Sequence, residues 1–114
     1  MTIIYKVCTR KDWLAAERHG EFRGSDDDAR DGFVHFSTAA QLAGTLAKHF
    51  PAATDLVLIA ADAGALGQAL KWEPSRGGEL FPHLYAPLPL SAVRWTRGLA
   101  DEVNGRRALP ELSS

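Results

Sequence analysis

Apolar side chains follow two rhythms along this chain, and each change of rhythm marks an element. Ile3, Ile4, Tyr5 and Val7 are strand formers and predict a first strand over Thr2–Cys8. Thr9 with Asp12 three residues later is a capping pair, which opens a helix carrying Trp13, Leu14 and Glu17. Gly20 is its natural stop. Glu21–Asp31 is polar, holds Gly24, Ser25 and the acid run Asp26–Asp28, and predicts a solvated loop. Phe33–Phe36 reads as a second strand. Thr38 with Gln41 is another capping pair, and Leu42, Leu46 and Phe50 recur at helical spacing until Pro51. Asp55–Ala61 is almost continuously apolar, and Val57 and Ile59 mark it as a buried central strand. Asp62–Gly67 is a connector with one helical turn around Leu66. Strands are expected over Ala69–Glu73, Leu80–Tyr85 and Ala92–Arg97, with a turn at Pro74–Gly78 and a break at Pro87 and Pro89. Beyond Leu99 the pattern fades.

Helix-forming segments early and strands late favour an α+β fold over a doubly wound parallel sheet. A length of 114 residues suits one domain, placed over residues 1–99, with residues 100–114 a weakly structured and partly mobile tail. Apolar residues, 46% of the chain, are enough to fill one core. The net charge of -1 supplies no general attraction to nucleic acid or anionic membranes. Cys8 is the only cysteine, so neither an internal disulfide nor a Cys-based zinc cluster forms within one chain. The apolar runs are too short to span a membrane, and Thr2–Val7 is too short for a signal peptide before Arg10 and Lys11. The expected location is the cytoplasm.

Two segments carry candidate chemistry. In Gly32–Thr38, strand alternation places Phe33, His35 and Ser37 on one face and turns Val34 and Phe36 to the core. An imidazole and a hydroxyl just before a helix start form a donor-rich corner suited to an anion. The plainer alternative is that Ser37 or Thr38 caps the helix while His35 bonds a neighbouring strand. In Lys71–Tyr85, the side chains of Phe81, His83 and Tyr85 share a face, and Gly77-Gly78 allows a tight turn. Glu73 and Arg76 flank that turn, as a surface ion pair or as a general base with a phosphate clamp. Trp72 is expected to pack inward, which sends Glu73 the other way. Lys6 alternates with Tyr5 and Val7 and is expected to project into solvent. His19 and His49 suit helix C-terminal ends, where the dipole favours a cation. Trp13 and Trp95 are core anchors and Cys8 a small packed residue. No dinucleotide Gly motif, P-loop, His-Glu-x-x-His or serine elbow is present.

Ile4-Tyr5-Lys6-Val7, Asp31-Gly32-Phe33-Val34-His35-Phe36-Ser37-Thr38, the Gln41–Phe50 helix, Lys71-Trp72-Glu73 and Phe81-Pro82-His83-Leu84-Tyr85 occur together. This combination, from about Ile3 to Val93, resembles the uncharacterised bacterial family catalogued as domain of unknown function 952. That family is remotely similar to ADP-ribosyltransferase-like folds, including RNA 2'-phosphotransferases, which clasp NAD or an ADP-ribose-like group between two small sheets. The resemblance implies a small split or mixed sheet with two main helices. It also implies that Lys6 touches the nicotinamide ribose, in contrast to the solvent placement read from alternation. His35 and Ser37 would lie in the cleft, and Glu73 would hold a ribose hydroxyl and stabilise positive charge at the departing sugar carbon.

The leading expectation is therefore a protein that binds NAD or another nucleotide-like ligand through Lys6, Ser37, Arg76 and Tyr85. Glu73, His35 and His83 would be the catalytic groups of a ribosyl or phosphoryl transferase. Two rivals remain: a metal-dependent hydrolase with His35, His83 and Glu73 as zinc ligands, and a non-catalytic module recognising a small molecule or peptide.

Overall fold

The near-continuous apolar run ending at Ala61 forms the centre of the molecule. In the computed structural model, which describes residues 1–112, it is strand β4 (Leu56–Asp62). β4 pairs antiparallel with β1 (Ile3–Thr9) on one side and β8 (Val93–Gly98) on the other. Both faces of this sheet are covered. Ile4, Cys8, Val57, Ile59 and Ala61 pack with Trp13 and Ala16 of α1 (Arg10–His19) and with Val34 and Phe36. Tyr5, Val7, Leu56, Leu58 and Ala60 pack on Leu42 and Leu46 of α3 (Leu42–His49). A strand buried on both faces needs no polar alternation, which is why β4 reads as one apolar block.

A second sheet has the order β3 (Val34–His35), β6 (Leu80–Leu84), β5 (Leu70–Pro74), and a two-stranded ribbon joins β2 (Glu21–Phe22) to β7 (Leu88–Pro89). Every strand pair among the described residues is antiparallel, so the sheet is not mixed. The two three-stranded sheets touch where Tyr5 and Ser37 exchange two backbone hydrogen bonds of 2.8 Å. They part from that point, and the gap between them is the candidate site. The fold is a single compact α+β domain.

Local chemistry sets the helix ends as the capping pattern requires. Thr9 Oγ1 accepts from the Asp12 N–H, and Gly20 closes α1 in the left-handed region at φ 82. Thr38 and Gln41 bond reciprocally one turn ahead of α3, and Gln41 Nε2 donates to the Leu80 carbonyl, tying the helix entry to β6.

Two expectations are corrected. Glu21–Asp31 is not a solvated loop. Phe22 is buried in β2, and Asp26–Asp31 forms a third helix, α2. Ser25 and Asp28 make a full capping box at its start, which compensates for a length too short to show apolar periodicity. Trp72 is 42% exposed rather than packed inward. Along its face of β5 and β6 burial fades from Leu84 to Leu80, so this end of the hairpin runs past the core.

Residues 100–112 have little regular structure but are tethered. Asn104 and Gly105 form a turn with positive φ, Arg107 donates to the carbonyls of Ala53 and Ala100, and Leu109 and Leu112 pack against the core on the α3 face of the β4 sheet.

Candidate active site between the two sheets

A pocket of about 130 Å³ opens where the sheets part. Lys6, His35, Ser37, Arg76 and His83 line it, whereas Glu73 and Tyr85 do not. The expected solvent placement of Lys6 is overturned. Lys6 lies opposite Ile59 on a covered face and is 6% exposed. Its Nζ sits 2.8 Å from Oδ2 and 3.0 Å from Oδ1 of Asp28, which is itself 2% exposed.

Asp28 is the hub of the site. Its carboxylate accepts from the backbone N–H groups of Ser25 at 2.8 Å and His35 at 3.0 Å, from Lys6, and from His35 Nδ1. Burial opposes its ionisation, but the bonds from His35, Lys6 and Ser25 outweigh it and hold the carboxyl well below the usual range. Asp31, one turn along α2, places Oδ2 3.0 Å from His35 Nε2. Its carboxyl is also lowered, first by Arg30 and then by His35. His35 is thus held between two carboxylates, and both accept from the ring at once only when it is an imidazolium.

His83 is the cross-strand partner of His35, with ring centroids 5.6 Å apart. Its Nδ1 lies 2.8 Å from Glu73 Oε1, and Tyr85 Oη donates to the same oxygen at 2.8 Å. Those two bonds lower the Glu73 carboxyl, and Glu73 in turn raises the Tyr85 phenol. With Nδ1 fixed by a carboxylate, the neutral ring presents Nε2 as the basic nitrogen. Phe33 stacks on His83 at 4.1 Å and leans on His35 and Tyr85, so the four rings form one aromatic cluster, which His35 and His83 present to the pocket.

The Glu73–Arg76 ion pair does not form. Glu73 turns to His83 and Tyr85, while the Arg76 guanidinium lies over the Phe81 ring, 4.9 Å from its centroid. Opposite, Ser37 Oγ and Thr45 Oγ1 bond at 2.8 Å. His49 lines the pocket from α3 and is lowered by burial, with Lys48 and Arg76 adding to the effect, so it does more there than complement a helix dipole. Among the described residues no group of three or more His, Cys, Asp or Glu side chains is arranged to hold a metal ion, so His35, His83 and Glu73 do not converge as ligands. Sequence reasoning missed Asp28, Asp31, Thr45 and His49. The Ser25-x-x-Asp28 capping spacing was the one available signal for the first of these.

Residues 7–96 match the family described as "Protein of unknown function (DUF952)". The chain belongs to the DUF952 family. This DUF952 chain is also similar to CC0527 from Caulobacter crescentus. A crystal structure of that protein has 46% sequence identity and a TM-score of 0.90, with 94% of each chain covered. Its solution NMR structure gives 48% identity and a TM-score of 0.81, covering 92% of this chain and 90% of that one. Comparison with curated proteins yields no match. No helix among the described residues is long and apolar enough to cross a membrane.

Proposed function

We propose that this DUF952 protein binds a nucleotide-like ligand, NAD or a related ribose phosphate, between its two sheets and catalyses ribosyl or phosphoryl transfer there. One observation carries the reading: two imidazoles, each oriented by its own carboxylate, meet edge to face beside Arg76, which has no carboxylate partner among the described residues. His83, through Nε2, accepts the proton of the attacking hydroxyl. His35, held at Nδ1 by Asp28, gives its Nε2 proton to the departing oxygen, which takes the place of the partly exposed Asp31 carboxylate at that nitrogen. Glu73 acts through His83 as a positioning residue, and Asp28 does the same for His35. Lys6 compensates the buried charge of Asp28 and leaves the pocket lining close to neutral on that side. The parting of the sheets at Tyr5 and Ser37 supports an ADP-ribosyltransferase-like arrangement.

The pocket volume sets how much of the ligand enters. A cavity of about 150 Å³ holds a single benzene-sized ring. At about 130 Å³ this pocket takes one sugar or base ring, and the rest of a dinucleotide lies outside it.

Calorimetric titration of NAD and ADP-ribose into wild type and His83→Gln tests the reading. Saturable binding of at least one ligand by wild type, weakened about tenfold or more in the variant, is expected, because Gln cannot act as imidazole toward both Glu73 and the ligand. Absence of binding at millimolar ligand contradicts it. A non-catalytic binding module is the second reading, favoured by the position of Glu73 outside the pocket lining. Binding without turnover of any bound nucleotide selects it.

A further inference from the structure

We propose that Gly44 of α3 and Phe81 of β6 together seat Arg76 as the oxyanion anchor of the pocket, and that the group it takes is a phosphate. The inference deepens the proposed function and rests on it only for the anionic character of the ligand.

Gly44 is the third residue of α3, exposed and within the helix, where alanine is the more favourable residue. No positive φ requires glycine there. A Cβ at this position meets only Arg76: Nη2 at 3.0 Å and Cζ at 3.6 Å. The space left by the missing side chain is therefore occupied by a guanidinium. Phe81 bounds that guanidinium from the sheet side. Arg76 itself springs from a tight connection between β5 and β6, closed by the Ser75 N–H donating to Glu79 O at 2.9 Å and by Gly77 and Gly78 at φ 70 and 80.

Of the two arginines lining the pocket, Arg30 is held by Asp27 and Asp31. Arg76 has no carboxylate within ion-pair distance among the described residues, and its fork is left for a ligand. Ser75 and His49 line the same pocket. The guanidinium fork engages two oxygens of a carboxylate or a phosphate alike, and a hydroxyl and an imidazole lining the same pocket offer partners for the further oxygens that a tetrahedral oxyanion has and a planar carboxylate lacks.

Inorganic phosphate is the probe, titrated into isotope-labelled wild type, Gly44→Ala and Arg76→Gln and followed by backbone amide and arginine Nε resonances. Wild type is expected to show saturable shifts at residues 75–79 and at Arg76 Nε, with binding weakened tenfold or more in both variants. Gly44→Ala should melt at or above the wild-type temperature, since the added methyl favours the helix and displaces only a flexible side-chain end. Loss of binding in a more stable protein separates a positioning role from a structural one. Phosphate binding by Gly44→Ala within twofold of wild type overturns the role of Gly44. Non-saturable shifts in wild type, or unchanged binding by Arg76→Gln, overturn the anchor itself. The same samples titrated with ADP-ribose distinguish the two levels. ADP-ribose binding untouched by Gly44→Ala removes this inference and leaves the proposed function, whereas phosphate bound with Gly44 dependence and no nucleotide bound does the reverse.

Discussion

Lys6 and Asp28 are 22 residues apart and meet in the interior, each making the other tolerable. Removing one partner of such a pair leaves an uncompensated buried charge, at a cost of about 3–5 kcal/mol. Asp28→Asn is expected to lose that much in urea unfolding, and a loss below about 1 kcal/mol would show that the pair is not buried as described. The pH dependence has a definite sign. Because the Asp28 carboxyl is lower in the folded state, the unfolded chain binds the extra proton first. Its contribution is complete above the unfolded carboxylate value of about 3.9 and is lost as the pH falls through the folded value. Cys8 tests the same interior differently: burial pushes its thiol up to about 12. It should resist thiol reagents at pH 8 and react only on unfolding, whereas fast stoichiometric labelling of the native protein would contradict its burial. Period-two alternation made the burial of Val34 and Phe36 and the common pocket of His35 and Ser37 legible. It failed for Lys6, because whether a strand face meets solvent depends on what a distant segment packs against it.

At the scale of elements, strong local signals and the structure agree. The Thr9–Asp12 cap, the Gly20 stop and the apolar block of β4 were all readable because each is decided within a few residues. Helix α2 was not, since its six acid-rich residues carry no apolar stripe and its stability comes from the capping box and the contacts of Asp28. Trp72 misled for the opposite reason: a large aromatic implies a core, but the β5–β6 hairpin extends beyond it. The central place of β4 yields a direct stability prediction. Ile59 is fully buried between two paired strands, and Ile59→Ala should cost about 2–5 kcal/mol. Thermal or denaturant melts showing a loss under about 1 kcal/mol would make β4 peripheral.

The architecture of the whole molecule was the least legible level. That β1 pairs with β4 across some fifty intervening residues, and that the two sheets are bridged by backbone hydrogen bonds at Tyr5 and Ser37, are non-local outcomes that no window of sequence contains. Yet this parting brings Asp28, His35, Arg76 and His83 from separate elements around one pocket. It also moves Glu73 behind His83, so the carboxylate orients an imidazole and does not line the pocket. The central claim is that this gap is where a nucleotide-like ligand binds. Mapping backbone amide shifts on addition of ADP-ribose tests it most directly. Saturable changes clustered at residues 28–37, 44–49 and 75–83 are the predicted result, whereas changes centred on β8 and the 100–112 segment, or none at millimolar ligand, would contradict the account.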